Sequence, residues 1–318
     1  MISVTALGEV LIDFTDAGIS DSGQRLFERN PGGAPANVLV ALERLGIKTA
    51  FIGKVGDDIH GSFLRKTLIS NGVNCDGLIV DKKYFTTLAF VELNEQGDRS
   101  FSFARKPGAD TQLRRDELNE TIIQDSHIFH IGSLSLTNEP AHSATLAALD
   151  IAKEAGCVLS YDPNYRANLW PNVETAIAQM RSVLPWMDLV KISDAECGLL
   201  TDYRDPERAS DAIIESGAAI CAVTLGKRGS YVRTADGASV IPSFSTNAVD
   251  TTGAGDSFWG GFLYEFLKSS LSPSNVSLDE AKIMARTGNA VASLCVQKRG
   301  GIPSMPSREE VEDLLSKR

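Results

Sequence analysis

The stretch Asp250-Thr251-Thr252-Gly253-Ala254-Gly255-Asp256 stands where a strand gives way to a helix. Small residues at 253–255 leave backbone N–H groups unobstructed, and Phe258, Trp259, Phe262, Leu263, Phe266 and Leu267 follow at helical spacing. Free N–H groups and the positive end of a helix dipole make such a turn an anion pocket that needs neither metal nor arginine. Asp256 is the odd residue there. A carboxylate repels phosphate unless it takes a proton from a hydroxyl attacking that phosphate. A lone Gly-x-Gly-Asp would read as a turn with an ordinary aspartate N-cap, but Asp250, Thr251 and Thr252 ahead of it make this string more specific.

The same strand–helix alternation runs upstream. Residues 127–131, 157–162, 188–192 and 219–225 read as strands, and 141–155 and 173–184 as helices. Such a chain predicts an α/β fold with a doubly wound, mostly parallel central sheet flanked by helices on both faces. Residues 2–8 and 10–14 read as strands near the sheet centre, 49–53 as another strand, and 60–71 as a helix ended by Gly72. The rhythm breaks at 86–93 and 100–105, which flank the hairpin signal Asn94-Glu95-Gln96-Gly97-Asp98 and predict a small accessory sheet. There Phe101, Phe103 and Arg105 share one face by the two-residue period. On pattern alone that face either covers a bound sugar or packs on the core, with Arg105 at its rim.

Composition bounds the function. With 318 residues, 43% apolar and 23% charged, the chain reads as a soluble globular protein, and its formal charge of −10 argues against nucleic-acid or anionic-membrane partners. Five scattered cysteines form no Cys-x-x-Cys pair, which fits a reduced cytoplasm better than a disulfide framework. The apolar N-terminus carries Glu9 and Asp13 and lacks a basic flank, so it reads as buried strand rather than signal peptide. His127 and His130 lie three apart in a strand, on opposite faces, and do not make a metal pair.

Ligands of open α/β sheets collect beyond the carboxyl ends of the strands, where Asp13, Asn164, Arg166, Lys191 and Glu196 all fall. Arg166 and Lys191 suit phosphate charge, and Glu196 suits magnesium, directly or through water. Taken alone, each reads more readily as a surface ion pair. Pro31-Gly32-Gly33-Ala34-Pro35-Ala36-Asn37 opens a further helix and lets a polyhydroxylated ligand approach the backbone and meet an amide side chain. Gly226-Lys227 is not a P-loop, and no Gly-x-Gly-x-x-Gly follows a strand.

Gly32-Gly33-x-x-x-Asn37 and the 250–256 string resemble the two signatures of the ribokinase-like, or PfkB, carbohydrate and nucleoside kinases. The resemblance spans essentially the whole chain and is nearest to the fructokinase branch, through residues 8–14, 51–58, 105–110 and 160–164 as well. It implies one kinase domain over 1–318, with a β-sheet lid from about 14–31 and 84–106. By the same resemblance Asp256 is the catalytic base, with the Gly253, Ala254 and Gly255 amides as anion hole. Sugar contacts fall on Asp13, Gly32, Gly33, Asn37 and Arg105, with Asp110 a weaker second. Nucleotide and phosphate contacts fall on Asn164, Arg166, Lys191, Ser193, Thr224, Gly226, Gly253, Gly255 and Asn289, and magnesium on Glu196. Ser193 stands where the family has Asn. A monovalent cation, K+ in many members, would sit among Asp250, Thr252, Cys295, Lys298, Gly300 and Ser304, mostly on backbone oxygens.

The implied activity is transfer of the γ-phosphoryl of ATP, with Mg2+, to the 6-hydroxyl of D-fructose. Kinases of 2-keto-3-deoxygluconate, ribose or aminoimidazole riboside share the phosphate machinery and remain alternatives. A sugar-sensing protein without catalysis is a further one, against which the intact Asp256 and Gly253-Ala254-Gly255 argue. Many relatives dimerise through the lid, which makes a homodimer the family-level expectation.

Overall fold

Short, largely apolar runs rich in β-branched and aliphatic residues build strands that are buried on both faces. The computed structural model describes residues 2–93 and 99–317. Its strands are β1 (Val4–Leu7), β2 (Leu11–Ile19), β3 (Arg25–Gly32), β4 (Thr49–Gly56), β5 (Asn74–Asp81), β6 (Leu88–Leu93), β7 (Arg99–Ala104), β8 (Ile128–Gly132), β9 (Val158–Asp162), β10 (Leu189–Ser193), β11 (Ile220–Thr224), β12 (Ser230–Thr234) and β13 (Gly237–Ile241). Nine form one sheet in the order β13-β12-β11-β10-β9-β8-β1-β4-β5, and four form a second in the order β3-β2-β6-β7. From β11 through β5 every pairing in the large sheet is parallel, while β12 and β13 add antiparallel edge strands.

Alternation along each strand divides the core between two helical layers. Ile128 packs with the helices Ala34–Arg44, Ala254–Ser269 and Leu278–Cys295, whereas Phe129 and Ile131 pack with Ala141–Glu154, Val173–Ser182 and Pro206–Glu215. No helix among the described residues is long and apolar enough to cross a membrane.

One expectation changes. Residues 11–19 do not lie near the centre of the main sheet. They pair with β3 and β6 in the second sheet, because Gly8, with φ 159°, lets the chain turn out of β1. The polar stretch that follows is mostly strand and pairs with β2, so the second sheet has four strands. The Asn94–Asp98 turn lies outside the described residues, but the ladder from Leu88↔Ala104 to Leu93↔Arg99 has hairpin register. The strand Asn74–Asp81, the helix Pro206–Glu215 and the β12–β13 hairpin are not among the elements read above and are added by the structure.

The helix Ala254–Ser269 is seated on the sheet by a polar contact inside an apolar layer. Trp259 is fully buried, stacks on Phe262 at 4.9 Å, and donates its indole N–H to Ser160 Oγ on β9 at 2.9 Å. Ser160 Oγ also meets His130 Nδ1 on β8 at 3.0 Å. Burial, helped by the charge of Lys191, pushes the imidazole down to about 3, so the cluster carries no charge at neutral pH. Trp259 lies one turn after Asp256, so this contact sets how the helix presents its first turn. Replacing Trp259 by Phe should cost about 1–3 kcal/mol in urea denaturation, the usual loss when a buried hydrogen bond is broken. An unchanged midpoint would show that apolar packing alone seats the helix.

Candidate active site

Three cavities meet at the start of the Ala254–Ser269 helix. The first, of about 180 Å³, lies between the second sheet and the carboxyl ends of the main strands. It gathers Asp13, Gly33, Asn37, Asn164, Arg166, Lys191, Gly253, Ala254, Gly255 and Asp256 from five separate segments. The second, of about 390 Å³ and more apolar in lining, includes Thr224, Gly226, Phe258 and Asn289. The third, of about 370 Å³, is lined by Asn164, Arg166, Lys191, Ser193, Glu196 and Thr224. Gly255 borders all three.

That shared border is where the helix begins. Gly253 adopts φ 76° as its N-cap, a left-handed conformation that glycine takes without cost. Gly255 faces Lys191 so closely that a Cβ there would stand 2.7 Å from Nζ. The amide of Ala254 points back to the Thr251 carbonyl at 3.3 Å, which leaves the flanking Gly253 and Gly255 amides as the better anion donors.

Asp256 is 7% exposed, and its Oδ2 accepts from Asn37 Nδ2 at 2.7 Å. Burial raises its pKa to about 6 and the charge of Asp162 adds to the rise, while Lys191, the Asn37 bond and Arg166 offset part of it. Lys191 itself is paired to Asp162 Oδ2 at 2.8 Å. Burial alone would discharge that lysine, but Asp162, Glu196 and Asp256 outweigh it and hold its pKa above the ordinary value. The result is a buried cation between two acids, with the second acid held ready to titrate near neutrality.

Asp13 projects from β2, and a Cβ on Gly32 of the paired strand would fall 2.1 Å from its Oδ2. Gly32 therefore does not line the first cavity but makes room for a residue that does. Asn164 takes φ 47°, which directs the chain after β9 round the third cavity. Asn289 donates Nδ2 to the carbonyls of Ile241 and Pro242 at 3.0 and 3.3 Å and thereby ties β13 to the wall of the second cavity.

Arg105 requires a correction. It is buried but does not border the cavity. Its Nε donates to Asp110 Oδ2 at 2.7 Å, Nη1 to Thr137 Oγ1 at 2.9 Å and Nη2 to the Leu134 carbonyl at 2.9 Å. A guanidinium taken out of water needs a carboxylate, and Asp110 supplies it. Phe103 and Leu134 face the cavity instead. The side chain of Phe101 lies outside the described residues.

Glu196 is organised by Ser193. Its Oε2 accepts from the Ser193 amide at 2.8 Å and hydroxyl at 2.7 Å, and its Oε1 from the Tyr165 amide at 2.7 Å. Of the roughly four lone-pair sites on a carboxylate, three are filled, which suits magnesium contact through one water better than direct chelation. Among the described residues no group of three His, Cys, Asp or Glu could cage a metal. The residues expected around a monovalent cation do come together. Asp250 accepts from the Thr252 and Gly300 amides at 2.9 Å each, Cys295 Sγ meets Ser304 Oγ at 3.0 Å, and the Lys298 amide bonds the Cys295 carbonyl at 3.1 Å. Lys298 Nζ turns away to Glu310, so only its backbone is available.

Two acids in the site were not singled out from sequence. Asp162, at the end of β9, partners Lys191, and Glu9, just after β1, lines the first cavity. Both are charged residues terminating buried strands, which is the signal that marked Asp13.

Residues 1–308 match the pfkB family of carbohydrate kinases. The chain is 43% identical to probable fructokinase-4 of Arabidopsis thaliana, over 98% of this chain and 96% of that protein. A crystal structure of Xylella fastidiosa fructokinase with bound ATP superposes with a TM-score of 0.90 at 32% identity, covering 99% of this chain and 98% of that one. A double-mutant fructokinase from Vibrio cholerae, bound to fructose, ADP and potassium, gives 0.89 at 32% identity, with 99% and 98% covered. The chain belongs to the pfkB family of carbohydrate kinases.

Proposed function

We propose that the protein is an ATP-dependent fructokinase that transfers the γ-phosphoryl group to the 6-hydroxyl of D-fructose. The observation that carries this reading is a buried carboxyl, Asp256, held near neutral pKa where a polar cavity meets a larger, more apolar one across an open helix N-terminus. Full-length similarity to fructokinases supports the sugar.

In this reading the sugar occupies the cavity of Asp13, Gly33 and Asn37, and the nucleotide occupies that of Thr224, Gly226 and Asn289. The 6-hydroxyl gives its proton to Asp256 as its oxygen bonds to the γ-phosphorus, and the bond to the β-phosphate oxygen breaks to release ADP. Asn37 orients the carboxylate. The Gly253 and Gly255 amides, Lys191 and Arg166 receive the charge on the transferred group, as phosphoryl transfer requires. Magnesium, held by the phosphates and through water by Glu196, would neutralise phosphate charge. Potassium would occupy the Asp250, Thr252, Cys295, Lys298, Gly300 and Ser304 cluster and fix the loops that carry the turn.

The sheet β3-β2-β6-β7 serves as a lid that excludes water as a competing acceptor. Ile19, Leu26 and Phe27 are exposed on it and suit pairing with a second copy. Five unpaired, buried thiols support a cytoplasmic location.

The reading is tested by ADP release with ATP and Mg2+ against fructose, ribose, 2-keto-3-deoxygluconate and aminoimidazole riboside, with and without K+. Fructose should give the highest kcat/KM. Another sugar would reassign the substrate, and silence on every sugar would contradict the kinase reading. Asp256→Asn should preserve the melting temperature and reduce kcat by roughly 10²–10⁴, the range of a general base. A folded variant with near-normal turnover would remove that role. Because only ionised Asp256 accepts a proton, kcat/KM should fall tenfold per unit as pH drops below about 6, the raised value of its carboxyl. A profile flat to pH 4.5 would contradict the assignment.

A further inference from the structure

Glu9 divides its carboxyl between two environments. It stands two residues beyond β1 and is 4% exposed. Its Oε1 accepts the Ala34 amide at 2.9 Å, at the first residue of the helix Ala34–Arg44, and so meets that helix's need for an N-terminal acceptor. Its Oε2 is buried with no hydrogen-bond partner, although Glu9 lines the same cavity as Asp13, Asn37 and Asp256. A buried acceptor or donor left unmade is costly and persists where a ligand completes it. The cap explains one oxygen and leaves the other unused.

We propose that Glu9 is a sugar-binding, specificity-determining residue whose Oε2 forms a hydrogen bond with one hydroxyl of the bound ketose other than the hydroxyl that is phosphorylated. The inference rests on the sugar-kinase reading above and goes beyond it. Arg105 and Asp110 lie close enough to act on the charge of Glu9, which lines a cavity that neither of them borders. Burial, with Asp110 adding to it and the backbone bonds and Arg105 opposing, raises the Glu9 carboxyl to about 7. A carboxyl that holds its proton for much of the time can donate from Oε2, and it avoids a further fixed negative charge beside Asp13 and Asp256. A hydroxyl-reading group of this kind discriminates through the penalty of leaving a buried polar atom unpaired.

The test is steady-state kinetics of the wild type, Glu9→Gln and Glu9→Leu on fructose and on monodeoxyfructoses that each lack one non-reacting hydroxyl, with a thermal melt for each variant. Glu9→Leu should raise KM for fructose roughly tenfold or more while kcat and KM for ATP change little, the loss of one hydrogen bond to substrate. Glu9→Gln should recover most of that loss, because its amide offers an acceptor to Ala34 and a donor to the sugar. One monodeoxyfructose should be as poor for the wild type as fructose is for Glu9→Leu, and Glu9→Leu should not make it worse. If Glu9→Leu does not fold, Glu9→Asp, which withdraws the carboxyl by one methylene, is read in the same way. A folded variant with wild-type KM, or one that weakens fructose and every analogue equally, overturns the assignment and leaves the kinase reading intact. A wild type that phosphorylates none of the sugars overturns both.

Discussion

A buried ammonium shared between carboxylates is the constraint on which the rest of the site depends. Burial disfavours the charged form of Lys191, and Asp162, bonded to it at 2.8 Å, keeps it charged together with Glu196 and Asp256. Asp256 stands close enough to feel both, and burial and Asp162 lift its carboxyl while Lys191 holds it down. The balance places a proton acceptor near physiological pH without a histidine. It also places positive charge where a transferred phosphoryl would sit, and Gly255 is the residue whose missing side chain lets Lys191 approach.

The fold supplies the convergence. Parallel strands end at one edge of the sheet, so β9 delivers Asp162 and Asn164, and β10 delivers Lys191 and Ser193, to the same line. The helix Ala254–Ser269 meets that line with its N-terminus and is fixed there by Trp259 on Ser160. The second sheet arches over it from β2, whose departure from the main sheet carries Asp13 across the cavity. Function then follows from how these groups are spaced, since the α/β architecture alone would suit many chemistries.

Much of this was legible in the chain. The apolar rhythm of 127–225 points to the parallel sheet because buried strands and amphipathic helices differ in period, and the 250–256 string marks the helix start and Asp256 because its small residues leave N–H groups exposed beside an acid. Residues 15–30 were harder. They are polar and mostly exposed, so their strands are fixed by the pairing of β2 with β3 and with β6 rather than by pattern. Arg105 was misplaced for a related reason. Period two assigns a face, but it does not reveal that Asp110, Thr137 and Leu134 claim the guanidinium first. The Lys191–Asp162 pair and the half-used carboxyl of Glu9 depend on contacts between residues 25 to 29 positions apart, which no local pattern records.

The measurement that bears most directly on this account is a carboxyl-carbon NMR titration of Asp256, in the wild type and in Lys191→Met. The expected wild-type midpoint is about 6, moving upward when the lysine charge is removed. A midpoint near the ordinary aspartate value of about 3.9, unmoved by loss of Lys191, would mean that the buried charge group does not tune the carboxyl. Its role as a base matched to neutral pH would then have to be abandoned.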